Sequence, residues 1–197
     1  MYNQREVGAY IPPQKFSVEG LDFDRLSLVP FDDERLTTPP PEFDFEQDGV
    51  HAETLANGMF KTMLKFGGVG LSANQIGLPY RVFVFGGKDV QLNIFNPKIV
   101  GVSKETVVME EACLSLPGFS LNLKRPTEVT ASYQNVSGEV VVSKFVGLGA
   151  RIFLHEYDHM EGVLFTQWAS SFKMKRAVNK VKKRIKKFER NKLNNER

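Results

Sequence analysis

Two of the three histidines in this 197-residue chain lie four apart: His155 and His159 in "FLHEYDHMEG" (153–162), with Glu156 beside the first. On a helix that spacing puts both rings on one face, close enough to converge on a single ion. A glutamate next to the first histidine is then set to move a proton at water on that ion. This is the chemistry of the HExxH pattern. The pattern is short, and two histidines in a satisfied surface network are the competing reading.

A catalytic metal typically keeps three protein ligands and one open position, so a third ligand is needed. His51 sits in an acidic segment far upstream and receives no role; Glu161 is too near the pair, and Glu189 lies in a basic run. Cys113, the single cysteine, stands in "MEEACLSLPG" between acids and a Pro-Gly turn, where thiolate coordination would explain it. A third segment, "GGVGLSANQIG" (67–77), offers glycines that let a ligand approach the backbone, and Gln75, whose amide can donate to a developing oxyanion. On its own it reads as a tight turn at a helix end.

These residues need elements to hold them. From about residue 49 to 66, Val50, Leu55, Met59, Met63, Leu64 and Phe66 form a helix-like stripe that stops at Gly67 and Gly68. "YRVFVFGG" reads as a strand, "LNIFNPKIV" as another that ends near its proline, and "EVTASYQNVSGEVVVSKFVG" as a hairpin. Helical spacing resumes over 147–160 through Leu148, Ile152 and Tyr157. The expected fold class is α+β, with antiparallel sheets packed around a central HExxH-bearing helix and a basic helix at the C-terminus.

Composition narrows the function. With 42% hydrophobic and 25% charged residues the chain suits one globular domain, and no apolar run approaches the ~20 residues that span a bilayer. Residues 1–60 hold twelve acidic and four basic side chains, unlike a transit or signal segment. One cysteine permits no internal disulfide, so the expected compartment is a reducing interior, a cytoplasm. Three parts follow: an N-terminal extension (1–20), a metallohydrolase domain (21–170) and a basic amphipathic helix (171–197). That helix carries twelve Lys or Arg against two Glu, leaving −7 for the rest of a chain of net charge +3.

The three motifs occur together and in order as in the peptide deformylases, and the sequence resembles that family over roughly two thirds of its length. The first motif is matched by Gly68, Gly70, Leu71, Ala73 and Gln75, the second by Glu111, Cys113, Leu114 and Ser115, the third by His155, Glu156, Asp158 and His159. Ser72, Ala112 and Leu154 depart from the family's usual Ala, Gly and Gln. The resemblance implies metal-dependent removal of the formyl group from N-terminal formylmethionine of nascent polypeptides. Cys113, His155 and His159 would hold the ion, Glu156 would carry the proton, and Gln75 with the Leu114 N–H would stabilise the oxyanion. Gly68, Val69 and Gly70 would pair with the peptide main chain. Glu111, Arg125 and Asp158 would support the ligands, or are ordinary surface charges.

Cysteine with two histidines suits zinc by ligand chemistry, whereas the resemblance implies Fe(II), with zinc or nickel as substitutes. Cys113 could instead be a nucleophile, though the histidine pair already supplies a water-activating site. Two other functions compete: an HExxH zinc peptidase, and a ribosome- or RNA-associated protein whose metal is structural. In the basic helix Met174, Val178, Val181, Ile185 and Phe188 are spaced 4, 3, 4, 3. That stripe either docks on the protein's own domain or accompanies phosphate binding, and the resemblance implies contact with the ribosome.

Overall fold

The computed structural model describes residues 17–195, except for the side chains of 184, 185 and 187–195. Residues 1–16 of the expected N-terminal extension therefore lie outside it, and Val18, at its described end, is buried against the core.

The proline run 39–41 leads into a short helix α1 (Phe45–Asp48), whose first turn is capped by the Asp44 carboxylate. Helix α2 (Ala52–Lys65) follows and ends at Gly67, which adopts φ +71°. Its buried face is Ala52, Leu55, Ala56, Met59, Phe60 and Met63. The stripe expected from spacing is partly wrong here: Val50 is 83% and Leu64 44% exposed, and both point away from that face.

Five strands form one antiparallel sheet in the order β1-β2-β3-β6-β7: β1 (Gly70–Ser72), β2 (Val82–Gly87), β3 (Val90–Val102), β6 (Glu128–Gln134) and β7 (Val140–Val146). Between β3 and β6 the chain makes a separate antiparallel ribbon, β4 (Thr106–Ala112) with β5 (Ser120–Pro126). Strand β3 does not stop near its proline. It runs past Pro97 through a register shift between Phe95 and Lys98, the kind of site where a missing N–H is tolerated.

Side-chain alternation explains the layering. On β2, Val82 and Val84 join the cluster with α2, while Phe83 and Phe85 join the cluster with α3 (Gly147–Met160). The sheet at β2 is therefore covered on both faces, which is why "VFVF" shows no polar alternation. On β6 only Val129, Ala131 and Tyr133 face the α3 side, and the pattern alternates. The other side of α3 meets β5, so this helix lies between the sheet and the ribbon. The last helix, α4 (Ser171–Asn195), sets Met174, Ala177 and Val181 against Leu121, Leu123 and Phe165. Val178 is not part of that contact and is partly exposed; Ile185 and Phe188 lie outside the described side chains.

Candidate active site

Helix α3 carries its functional residues in rows. Arg151, His155 and Asp158, spaced 4 and 3, face the ribbon, whereas Ile152 and Glu156 face β1. Cys113 follows β4 directly. The ligand atoms of Cys113, His155 and His159 lie within 4.8 Å of one another, and all three residues are buried. His159 Nε2 is 3.4 Å from Cys113 Sγ. His155 Nδ1 is 3.2 Å from Glu111 Oε2, which fixes the ring and leaves Nε2 as its free ligand atom.

The donor set fits a divalent transition-metal ion: one thiol and two imidazoles, gathered from two elements and shielded from solvent. Electrostatics agree for His159. Burial, then the charges of His155 and Arg125, push its pKa well below the ordinary value, so the ring is neutral and its lone pair available. At His155 burial also opposes the charged form, but Cys113 and Glu111 outweigh it and hold the pKa up to about 10. A bound cation would act in the opposite sense on that ring.

Glu156 is 3% exposed and is not one of the clustered ligands. Burial pushes its pKa up, opposed by His155 and by the Ser72 hydroxyl. Ser72 Oγ donates to Glu156 Oε2 at 2.7 Å. Gln75 accepts the Ser72 N–H through Oε1 at 2.9 Å, and its Nε2 lies 3.3 Å from Cys113 Sγ and 3.2 Å from Ser115 Oγ. The amide is thereby pre-oriented with its donors toward the thiol. Gly68 is adjacent to Leu114, whose Cδ1 would lie 2.7 Å from a Cβ there, and Val69 is exposed beside them. The three segments singled out in the sequence thus meet in one place.

Glu111, Arg125 and Asp158 are not surface charges. Arg125 donates to both oxygens of Glu111 at 2.8 Å and to Asp158 Oδ2 at 2.6 Å, all three residues being buried. Arg151 adds a bond to Glu111 Oε1 at 2.6 Å, and Trp168 Nε1 one to Asp158 Oδ2 at 2.8 Å. Two guanidinium groups balance two carboxylates. Burial alone would raise Glu111, yet His155, Arg125 and Arg151 together hold it far below the carboxylate range. Sequence reasoning missed Arg151, Trp168 and the contact of Ser72. Arg151 had a signal, since it stands one turn before His155 on the same face.

Residues 26–175 match the model of the polypeptide deformylase family. The chain belongs to the peptide deformylase family. Peptide deformylase from Wolbachia sp. subsp. Brugia malayi (strain TRS) is 35% identical over 182 residues, covering 84% of this chain and 99% of that protein. The crystal structure of the Thermotoga maritima deformylase superposes with a TM-score of 0.68 at 34% identity, over 74% of this chain and 97% of that one. Arabidopsis thaliana peptide deformylase 1B gives 0.72 at 32% identity, over 84% and 93%.

As a peptide deformylase the chain is a metal-dependent hydrolase that removes the formyl group from N-terminal formylmethionine of nascent polypeptides. This membership favours deformylation over the zinc-peptidase and RNA-associated alternatives. Glu161, too near the histidine pair to be an obvious third ligand, is paired with Arg81 at 2.5 Å. Among the described residues no helix is long and apolar enough to cross a membrane.

Proposed function

We propose that Cys113, His155 and His159 hold the catalytic ion, that Glu156 is the general base and acid, and that Gln75 with the Leu114 N–H receives the oxyanion. The observation that carries this reading is the convergence of a buried thiol and two imidazoles beside a buried carboxylate that is not among them. The ion is Fe(II), with zinc or nickel able to substitute, since a thiol with two imidazoles accommodates all three. When bound it supplies Lewis acidity, acidifying water and polarising the formyl carbonyl.

The chain's own groups carry the remaining steps. Glu156 takes a proton from water and returns it to the departing amine as the formyl C–N bond breaks, so that formate and the free N-terminus leave. Gln75 Nε2, aimed beside Cys113, donates to the carbonyl oxygen as charge collects there; one such donor contributes ~3 kcal/mol. Glu111, anchored by Arg125 and Arg151, orients the His155 ring through Nδ1, and Asp158 holds the far side of Arg125.

Substrate binds along Gly68, Val69 and Gly70. Strand β1 is the first of its sheet, and the Val69 carbonyl accepts the Gly86 N–H at 2.9 Å, so alternate residues turn their main-chain groups to the open edge. An extended peptide added there gains affinity from main-chain bonds whatever its sequence. The hydrolase unit is residues 21–170, with 1–20 an extension and 171–197 a basic appendage that contacts the ribosome. The reaction belongs to a bacterial-type cytoplasm, where formylated chains emerge and a thiol ligand stays reduced.

Glu156→Gln tests the assignment of the base. The variant is expected to bind one equivalent of Fe(II) like the parent while turnover falls about 10²- to 10⁴-fold. Parental turnover by a folded, loaded variant would remove Glu156 from the mechanism.

A further inference from the structure

The carboxylate of Glu156 is held from strand β1. Strand β1 turns Gly70 and Ser72, two residues apart, toward α3, and Leu71 between them toward α2. Ser72 is fully buried, and its hydroxyl donates to Glu156 Oε2 at 2.7 Å. The same hydroxyl is 3.3 Å from the Glu156 carbonyl, a longer contact that a single proton serves poorly once the carboxylate is bound. The other carboxylate oxygen, Oε1, lies against Gly70, where a Cβ would collide with it and would stand 2.9 Å from Ile152 Cγ2. One oxygen is thus tied by a charge-assisted bond and the other seated where only glycine leaves space.

We infer that Ser72 is a positioning residue for deformylation, its hydroxyl fixing the rotamer of the Glu156 carboxylate so that one oxygen is tethered and the other is left for the water proton. The Ser72 backbone serves the same site, since its N–H fixes the Gln75 amide at 2.9 Å. A single residue therefore couples the orientation of the base to that of the oxyanion donor, through its side chain and its main chain respectively. An alanine here keeps the second link and loses the first. This inference rests on the reading of Glu156 as the base.

Ser72→Ala is the test, because it removes one buried oxygen without adding volume. With Fe(II)-loaded protein and a formylmethionyl tripeptide, kcat should fall about three- to ten-fold with KM within two-fold, the signature of an interaction used in the chemical step. A crystal structure of the variant should show the Glu156 carboxylate rotated from its seat over Gly70, while Gln75 still accepts the residue 72 N–H. Unchanged kcat overturns the inference, and so does a fall in kcat with Glu156 unmoved. Failure of the base assignment is separable: it would appear as full turnover in Glu156→Gln, whereas failure of the present inference appears as an inactive Glu156→Gln beside a fully active Ser72→Ala.

Discussion

At the scale of single residues, the site is organised by what each side chain is prevented from doing. His155 cannot turn because Nδ1 is tied to Glu111, and Glu111 cannot turn because two arginines hold its oxygens. Four buried charges persist in this arrangement because each has an opposite partner within 2.8 Å. Removing Arg125 leaves the buried Asp158 without a cation and Glu111 with Arg151 alone. Arg125→Ala should therefore lower unfolding free energy by about 3–5 kcal/mol, read as a reduced midpoint in urea denaturation with the slope unchanged. A shift below ~1 kcal/mol would mean the network is solvated like a surface pair. The grouping of Cys113, His155 and His159 was legible in the sequence, because HExxH at helical spacing and a solitary cysteine constrain chemistry directly. The burial of Glu111, Arg125 and Asp158 was not. It arises from a strand, a ribbon partner and a helix brought together only by folding, and nothing local distinguishes those charges from exposed ones.

At the scale of elements, α3 and the β6–β7 hairpin follow from local pattern. The helix spans 147–160 as its spacing requires, and Gln134 pairs with Val140 across the turn at "NVSG". Other elements depended on context. Strand β4 exposes most of its residues, so it lacks the alternation that marks a half-buried strand, and its pairing with β5 is stated only by the register Thr106↔Pro126 to Ala112↔Ser120. Helix α4 lays its apolar residues on the chain's own domain. Its apolar residues Met174, Ala177 and Val181 cover Phe119, Leu121 and Phe165, and Lys173 reaches the Asn122 carbonyl at 3.0 Å, while most of its described basic residues remain exposed. A chain ending at residue 170 should lose about 2–4 kcal/mol of stability from the uncovered apolar surface. On the proposal that the basic face contacts the ribosome, it should also fail to co-sediment with ribosomes, and co-sedimentation of the full chain should fall as salt rises. Equal co-sedimentation by both chains would assign the basic face to solvent alone.

At the scale of the whole molecule, one helix between a five-stranded sheet and a two-stranded ribbon does the positioning. The sheet supplies Gly70 and Ser72 against Glu156, the ribbon delivers Cys113 and the Glu111–Arg125 pair, and α3 presents both histidines between them. The acid-rich body and the basic terminal helix separate charge along the chain. On the proposed assignment this assembly deformylates peptides through a metal held in part by Cys113. The direct measurement is formate release from formyl-Met-Ala-Ser by anaerobically purified, Fe(II)-loaded protein, alongside the Cys113→Ala variant. Release by the parent, and loss of both bound iron and formate release in the variant, are expected for this assignment. A folded, iron-loaded parent that releases no formate, or a Cys113→Ala protein as active as the parent, would contradict it.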